Sequence, residues 1–414
     1  MTATPEAALA AALAPLPEGA AIGVAVSGGG DSLALLHLAA DWARGRGARI
    51  AAATVDHGLR PEAGAEAAAV AQICAGLGVP HEVLRWQGWD GRGNLQAAAR
   101  DARRALLADW RARRGLDALL LGHTADDQAE TFLMRLARGS GVDGLACMAD
   151  TDAAAGVWRP LLSVRRAALR DWLRDRGIGW VEDPSNADAR FDRVKARRML
   201  EVLAPLGLTV ERLTETAAHM QRARAALQQA AVELAARAVR AEGGDLILSA
   251  ALLRPDLGEV EGRILSAAIR WIGASPYRPR RDALVEAVQA LCRGEARTLA
   301  GVILQPEAGG ARLTRELAAV APPVEGAGAV VWDGRWRVAP EGAAPLVAWR
   351  AGALGEAGLA QVPDWRAGGL PRLSLLSSPA VWQGDRLISA PLVGFARGWC
   401  ATLTPSFSLF LLSH

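Results

Sequence analysis

The sequence is poor in several features that mark particular protein classes. Its 414 residues include only four cysteines, which lie far apart and form no Cys-x-x-Cys pair. This spacing argues against a disulfide framework, a zinc ribbon or a thiol-based sulfur carrier, and it fits a reducing compartment. The formal net charge is only +3, from 47 basic and 44 acidic residues. The overall charge therefore does not indicate a nucleic-acid-binding protein, and any basic surface has to be local.

Lysine is almost absent. Lys195 is the only lysine among the 47 basic residues, and the chain is also very rich in alanine. This combination is typical of a GC-rich genome, in which arginine is common for reasons unrelated to function. The number of arginines alone therefore says little about binding.

The sequence also lacks a long apolar run. The apolar stretch 407–412 is far shorter than the roughly 20 residues that a transmembrane helix needs. No basic residue precedes the alanine-rich stretch between Glu6 and Glu18, so this stretch predicts an amphipathic helix and not a signal peptide. We expect a cytoplasmic protein with no membrane partner, and its length favours two or three domains.

The first part of the chain alternates short apolar runs with longer helical patterns. The runs that predict strands are 21–26, 50–55, 82–86 and 118–121, and the stretches that predict helices are 32–45, 62–77, 94–114 and 125–138. This alternation predicts an α/β fold, a doubly wound and mostly parallel sheet with right-handed crossovers. In such sheets, ligands bind outside the carboxyl ends of the strands.

The rest of the sequence changes character twice. From about residue 190 to 241, arginines punctuate long Ala/Leu runs, and helical patterns follow at 257–273 and 281–293. After about residue 296, short alternating runs are separated by Gly/Pro turns. The sequence therefore predicts an α/β domain, a helical domain and a small mixed α/β C-terminal module, over residues 1–205, 206–295 and 296–414.

A glycine-rich loop joins the first predicted strand directly to a helix. Its residues are Ser27, Gly28, Gly29, Gly30, Asp31 and Ser32. Glycines allow the backbone N–H groups to turn towards one point, and the positive end of the helix dipole favours an anion there. The loop therefore predicts a cradle for a pyrophosphate group, to which Ser27 and Ser32 can donate and beside which Asp31 can bind Mg²⁺. The alternative, a capped turn without a ligand, is disfavoured by the strand before the loop and the helix after it.

This loop differs from the commonest nucleotide-binding fingerprints. It has no Gly-Lys-Ser/Thr, so it is not a Walker A motif, and Gly-x-Gly-x-x-Gly fails at Ser32 and Leu33. It resembles the PP-loop of the N-type ATP pyrophosphatases, which split ATP into AMP and pyrophosphate. That group includes GMP, NAD and asparagine synthetases and several tRNA-modifying enzymes.

Further segments narrow the resemblance. They are Val-Asp-His-Gly-Leu-Arg-Pro-Glu at 55–62, Gly-Asn-Leu-Gln-Ala-Ala-Ala-Arg-Asp-Ala-Arg at 93–103, Gly-His-Thr-Ala-Asp-Asp-Gln-Ala-Glu-Thr at 122–131 and Arg-Pro-Leu-Leu at 159–162. In this order and at these separations, they are similar to the tRNA(Ile)-lysidine synthetase family, over roughly residues 20–200. That family attaches lysine to carbon 2 of the wobble cytidine of a CAU anticodon, through an adenylated base.

The resemblance implies a ligase that uses ATP and Mg²⁺, with tRNA(Ile) bearing a CAU anticodon and free L-lysine as partners. His57 is expected to join the loop in the ATP site. Asp126, Asp127 and Glu130 lie at the start of a predicted helix, where carboxylates also cap free N–H groups. Asp127 and Glu130 share one helical face, and the resemblance implies that they hold the amines of lysine. His123 is either a partner of phosphate or substrate, or a capped loop histidine.

Two arginine-rich segments supply the local basic surface that the net charge hides. Residues 100–114 carry a net charge of +4, and so do residues 190–198. Phosphate contacts are the expected use of such segments, although some of their arginines will be solvated surface. The residues expected to contact tRNA are Arg100, Arg103, Arg193 and Arg197.

Two positions depart from the pattern of the family. Arg104 stands where a tyrosine is usual. After the segment 183–186, Asp-Pro-Ser-Asn, the family usually has Arg-Asn-x-x-Arg, and here Val194 replaces the amide between Arg193 and Arg197. The polar contact of that amide is therefore lost.

Other functions on the same loop fit the sequence less well. A tRNA thiolase needs cysteines near the cleft or an iron–sulfur cluster, and the four cysteines lack that spacing. A small-molecule amidotransferase or synthetase would require a glutaminase domain or an ammonia source. A non-catalytic nucleotide- or RNA-binding module is disfavoured by the intact loop and the carboxylate pair. The sequence leaves the oligomeric state open, and a homodimer is one alternative.

Overall fold

The structure is a computed structural model, and it describes residues 4–58, 63–89, 91, 93–181, 192–342 and 348–413. The chain divides into two compact units, Met1–Arg224 and Ala225–His414. The domain boundaries expected from composition, after residues 205 and 295, stay predictions.

The first unit is built on a six-stranded, mostly parallel sheet. Its strands are β1 (Ala21–Ala25), β2 (Arg49–Asp56), β3 (His81–Arg85), β4 (Ala118–Leu121), β5 (Thr151–Asp152) and β6 (Val157–Trp158). The strand order is β3-β2-β1-β4-β6-β5, and every pair is parallel except β5 with β6. The predicted α/β fold with a mostly parallel sheet is confirmed.

Helices precede, connect and follow these strands. They are α1 (Pro5–Leu13), α2 (Gly30–Arg46), α3 (Ala63–Leu77), α4 (Leu95–Arg114), α5 (Ala125–Leu136), α6 (Val142–Leu145), α7 (Arg166–Asp175), α8 (Asp192–Leu203) and α9 (Val210–Ala238). The four strands and four helices expected up to residue 138 are all present, with ends that differ by at most two residues. The boundary between the two units falls within α9.

Strand β1 is buried along its whole length because helices cover both faces of the sheet. Burial on both faces explains why its sequence is continuously apolar and does not alternate. Gly23 faces Trp110 of α4, and a Cβ atom at this position would lie 2.6 Å from the indole ring. Glycine in β1 therefore lets α4 approach the strand that leads into the phosphate loop.

The second unit contains antiparallel sheets. Its strands are β7 (Val239–Glu242), β8 (Asp245–Ser249), β9 (Arg297–Leu299), β10 (Val302–Glu307), β11 (Gly310–Arg315), β12 (Val324–Gly326), β13 (Val330–Trp332), β14 (Trp336–Pro340), β15 (Trp349–Ala353), β16 (Pro379–Gln383), β17 (Arg386–Ser389) and β18 (Trp399–Leu403). The sheet orders are β7-β8-β11-β10-β9, β12-β15-β16-β17 and β13-β14-β18. Its helices are α10 (Glu259–Gly273), α11 (Arg281–Cys292), α12 (Gly355–Leu359), α13 (Arg372–Leu376) and α14 (Phe407–Ser413).

The helices expected at 257–273 and 281–293 are present as α10 and α11. The hairpin of β7 and β8 differs from expectation, because the helical pattern was expected to continue to residue 241. Gly243 and Gly244 at its turn both have positive φ, and β8 gains a second partner in β11. Pairing with β11, more than 60 residues further along the chain, is a tertiary contact that a local Ala/Arg-rich pattern does not reveal. Within the described ranges, no helix has the length and apolarity that crossing a membrane requires.

Candidate active site

The phosphate loop has the backbone geometry of an anion cradle. Gly28 has φ +86°, whereas Gly29 has φ −73° and precedes α2 as its N-cap. Ser32 Oγ accepts a hydrogen bond from Ser27 N at 3.1 Å and donates one to Gly29 O at 2.9 Å. Among the described residues, no side chain caps the first turn of α2, so its N–H groups are left for a ligand.

The end of β4 packs directly against this loop. A Cβ atom at Gly122 would lie 3.1 Å from both Asp31 O and the Cα of Ser32. Only glycine fits this contact without displacing the backbone of the first turn of α2. The segment that carries His123 and the acidic helix α5 is therefore held against the phosphate loop.

A mostly apolar pocket of about 280 Å³ adjoins the loop at Gly28. Val181 N lies 3.4 Å from Gly28 O, and a Cβ at Gly30 would contact the Trp180 ring at 3.3 Å. The pocket is lined by Gly28, Leu33, Glu66, Ala69, Val70, Ile73, Gly179, Trp180 and Val181. Its size and its apolar walls suit a flat aromatic group next to the phosphates.

The start of α5 is fixed by a capping box. Thr124 N and Thr124 Oγ both donate to Asp127 Oδ2 at 2.9 Å, and Thr124 accepts from Asp127 N. Asp126 turns the other way and accepts from Arg166 N, at the start of α7, at 2.7 Å. It also accepts two bonds of 3.3 Å from Arg165. Asp126, expected with the lysine-binding group, thus anchors α7.

Arg166 joins the phosphate loop to the acidic helix. Its Nε donates to Asp31 Oδ2 at 2.9 Å, its Nη2 to Asp127 Oδ1 at 3.0 Å, and its Nη1 to Glu130 Oε1 at 3.1 Å. Arg166 is a residue that sequence reasoning missed. It lies four residues after the Arg-Pro-Leu-Leu segment, and this proximity was its only sequence signal.

Glu130 is the most deeply buried of these carboxylates, with 1% of its side chain exposed. Its Oε1 accepts from Arg166 and also from Arg197 Nε, at 3.0 Å. Its Oε2 is buried, and no described group donates to it. Arg197, expected to contact tRNA, is therefore bound to the acidic side of the site, where Glu130 keeps one acceptor free.

The titration of these groups follows from burial and from Arg166. Burial raises the pKa of Asp31, and the charge of Asp127 adds to this, although Arg166 opposes it. Burial also disfavours the ionised form of Asp127, but Arg166 and the Thr124 N–H outweigh it and hold the pKa of Asp127 below its usual value. The carboxylates outweigh burial at Arg166 and raise its pKa.

The opposite side of the site is basic. The pKa of Arg103 is lowered by desolvation and by the charges of Arg193 and Arg100, so these three arginines act on one another electrostatically. Burial lowers the pKa of His57, and the charge of Arg103 lowers it further. Burial lowers the pKa of His123 to about 4, again with a contribution from Arg103. The charge of Arg103 thus acts on both histidines, and that of Arg193 acts on His123.

Both histidines present an unpaired nitrogen. Among the described residues, none hydrogen-bonds the buried Nδ1 of His57 or that of His123. The His57 ring also packs edge-on against Trp86, with centroids 5.9 Å apart. A loop histidine that caps its own backbone would have used this nitrogen, so the geometry at His123 favours a ligand partner.

Several arginines of the basic segments are ordinary surface residues. Arg113 and Arg114 pair with Glu82, and Arg104, at the position where the family has a tyrosine, pairs with Asp101. Val194 is buried against its surroundings as an apolar residue. Residues 183–186, Arg190 and the end of the segment 55–62 lie outside the described residues.

The sequence comparisons with known proteins point to one family. A sequence profile described as the PP-loop domain matches residues 1–203. A tRNA(Ile)-lysidine synthase of Ruegeria pomeroyi is 48% identical over 400 residues, which cover 95% of this chain and 94% of that protein. Another, of Hyphomonas neptunium, is 52% identical over 207 residues, which cover 47% of this chain and 55% of that protein. A solved U34-tRNA thiolase of Methanococcus maripaludis is 16% identical with a TM-score of 0.45, covering 54% of this chain and 78% of that one.

Proposed function

The chain belongs to the tRNA(Ile)-lysidine synthase family, and on this premise we propose how its first unit carries out the reaction. The enzyme is a ligase that spends ATP to join lysine to carbon 2 of the wobble cytidine of tRNA(Ile) with a CAU anticodon. One observation supports the assignment of roles above all others. Arg166 connects the phosphate loop to Asp127 and Glu130, so an anion cradle and an amine-binding group lie side by side.

ATP is bound with its phosphates on the loop 27–32 and its base in the adjoining apolar pocket. The free N–H groups at the start of α2 and the positive φ of Gly28 support the phosphate position. The pocket of about 280 Å³ beside Trp180 supports the base position. His57 lies at the carboxyl end of β2, where it faces the same ligand.

Asp31 is the residue that fits a magnesium ion. Its carboxylate lies on the first turn of α2, and its pKa is raised by burial, a cost that a nearby cation removes. One carboxylate with phosphate oxygens and water matches the usual coordination of Mg²⁺. Bound there, Mg²⁺ would neutralise charge on the departing pyrophosphate.

Lysine is held by Glu130 and Asp127. Glu130 Oε2 is a buried carboxylate oxygen without a described partner, and a substrate ammonium supplies the missing donor. A buried acceptor that lacks a donor costs free energy, which binding of the amine recovers. Neutral amino acids lack the ε-ammonium and gain nothing from this contact.

The reaction then needs no nucleophile from the enzyme. The 2-oxygen of cytosine attacks the α-phosphorus of ATP, and pyrophosphate leaves. The ε-ammonium of lysine gives up one proton to solvent, and the resulting amine attacks carbon 2. The bond from carbon 2 to this oxygen breaks, AMP departs, and the newly bonded nitrogen loses a second proton. Positioning and electrostatic stabilisation supply the catalysis.

Transfer RNA approaches from the basic side. The reacting atom of cytosine lies on its pairing edge, so the base has to be unstacked before it enters the site. Arg100, Arg103 and Arg193 converge there and contact phosphates of the anticodon loop. A cytoplasmic location and a homodimer remain predictions.

The decisive experiment measures transfer of radiolabelled lysine to tRNA(Ile) with a CAU anticodon in the presence of ATP. Formation of labelled tRNA with equimolar AMP and pyrophosphate is the expected result. A methionine tRNA, which also has a CAU anticodon, is the control that tests whether the anticodon alone is sufficient for recognition. Incorporation of sulfur from a sulfide donor, with no lysine transfer, would instead identify a thiolase.

A further inference from the structure

The guanidinium of Arg166 occupies the position between the carboxylates that are proposed to bind magnesium and lysine. Each of its three nitrogen atoms donates to a different carboxylate, those of Asp31, Asp127 and Glu130, at 2.9, 3.0 and 3.1 Å. Only 16% of its side chain is exposed. The three carboxylates are those to which magnesium and lysine are assigned above.

The charges of this cluster are almost balanced before any substrate binds. Three carboxylates form ion pairs with two arginines, Arg166 and Arg197, and the charge of Arg170 also acts on Asp31. The buried Oε2 of Glu130 has no donor among the described residues, so one carboxylate oxygen of the cluster is left unsatisfied. A cation can bind the carboxylate oxygens that Arg166 contacts only if Arg166 releases them.

The guanidinium also keeps these acids from forming a metal site of their own. Among the described residues, no three Asp, Glu, His or Cys side chains are placed to hold a metal ion. Mg²⁺ requires about six oxygens at roughly 2.0–2.1 Å, and oxygens that surround a guanidinium carbon cannot converge so closely. A metal then binds only when a nucleotide brings phosphate oxygens with it.

We propose that Arg166 is an internal counter-cation of the substrate site. In the absence of substrates, it holds the loop carboxylate and the α5 carboxylates together and keeps free divalent cations out. On binding, the lysine ammonium and the nucleotide-borne metal replace it at these oxygens. The identity of the incoming cations rests on the proposed function, whereas the exclusion of free metal rests on the contacts of Arg166 alone.

Removal of the guanidinium is expected to create a metal site, which Mn²⁺ detects. Free Mn²⁺ is titrated by electron paramagnetic resonance with the full chain, without ATP, lysine or tRNA. We expect Arg166→Gln to bind Mn²⁺ at least tenfold more tightly than the wild type, because three neighbouring carboxylates lose the guanidinium that pairs with all of them. Arg166→Lys keeps a positive charge that reaches fewer carboxylates, so its affinity for Mn²⁺ should lie between those of the wild type and Arg166→Gln.

Arg165→Gln is the matched control. Arg165 is the adjacent arginine, but it contacts Asp126 and Glu211, and Asp126 keeps its bond from Arg166 N. This variant should bind Mn²⁺ like the wild type. An Arg166→Gln affinity within twofold of the wild type would overturn the proposal.

Melting temperature provides a second measurement, which remains informative if Arg166→Gln destabilises the protein. A metal that binds only the folded state raises its melting temperature with concentration, so Arg166→Gln should gain stability over a range of MnCl2 that leaves the wild type unchanged. A melting temperature that does not respond to MnCl2 overturns the proposal as well. Tight Mn²⁺ binding by Arg166→Gln, with no lysine transfer by the wild type, would remove the proposed function and leave this inference standing.

Discussion

Arg197 Nε donates a hydrogen bond to Glu130 Oε1 at 3.0 Å, although Arg193, one helical turn earlier in α8, lies near Arg103 on the basic side. Two arginines that the sequence places in one basic segment therefore interact with groups of opposite charge. Arg193 is available to a phosphate, whereas Arg197 is bound to the carboxylate proposed to hold lysine.

Charge reversal at these two arginines should separate tRNA binding from lysine binding. Arg193→Glu is expected to weaken tRNA binding and to lower its salt slope by about one unit, because one phosphate contact is lost. Arg197→Glu removes a donor to Glu130 Oε1 and should mainly change the KM for lysine, with little effect on the salt slope. Filter binding across a salt titration and lysine-dependent kinetics measure the two effects.

Arg44→Glu provides the control for charge reversal. Arg44 is exposed and pairs with Asp41 near the end of α2, the end remote from the phosphate loop. It should leave both the salt slope and the lysine KM unchanged. If the salt-titration curves of Arg193→Glu and Arg44→Glu coincide, Arg193 is a solvated surface residue that does not contact tRNA.

The sequence was sufficient for the parts of the site that local patterns determine. The phosphate loop is predictable because a strand, glycines and a helix follow each other directly along the chain. Asp127 and Glu130 are predictable as neighbours because three residues separate them on one helix. The carboxyl ends of β1, β2 and β4 lie at one edge because the sheet is parallel.

The contacts between distant parts of the chain across the site could not be predicted from local sequence patterns. Arg166 meets Asp31 over 135 positions of sequence, and nothing local distinguishes it from the many other arginines of this chain. Asp126 and Asp127 are adjacent and chemically identical, yet one anchors α7 and the other closes the capping box of α5. Tertiary packing decides which carboxylate faces which arginine.

Replacement of Gly29 by valine should abolish ATP-dependent chemistry while the domain stays folded. Gly29 has φ −73° and ψ 157°, a conformation that valine adopts readily, and its Cβ would meet only Ser27 Oγ, at 3.8 Å. The added side chain therefore blocks the ligand and not the protein. Pyrophosphate release should fall to background, with a circular dichroism spectrum like that of the wild type.

Gly45→Val on the same helix is the matched substitution, because a Cβ at Gly45 meets nothing within 4 Å and the residue lies far from the loop. It should retain pyrophosphate release. Normal release by Gly29→Val would show that phosphates do not bind against this part of the loop.

His123 should make the protein less stable below neutral pH. Burial lowers its pKa from 6.5 to about 4, so the unfolded chain binds more protons than the folded one between these values. Stability therefore falls as the pH drops from 6.5 towards 4, by about 2 kcal/mol between pH 7 and pH 5 from this group alone. Urea unfolding of the wild type and of His123→Gln at both pH values isolates the contribution, because the other histidines are common to the two proteins. Equal losses in both proteins would contradict the assignment.

Neutralisation of the two carboxylates proposed to hold lysine should have different consequences at the two positions. Asp127 Oδ2 accepts from Thr124 N and Thr124 Oγ, so Asp127→Asn disturbs a helix cap and should cost about 1 kcal/mol of folding free energy. Glu130→Gln keeps an oxygen for Arg166 and Arg197, and Glu130 caps no helix.

Glu130→Gln should therefore report on the charge at the lysine site. A charge-assisted hydrogen bond contributes about 1.5 to 3 kcal/mol, so the lysine KM should rise by roughly one to two decades. Formation of the tRNA adenylate without lysine should change much less, because Glu130 contacts no residue of the phosphate loop directly. The comparison is made between lysine-dependent transfer and lysine-free pyrophosphate release, with melting temperatures measured in parallel. If both activities of Glu130→Gln fall equally, this carboxylate supports the fold or the metal, and the amine of lysine binds elsewhere.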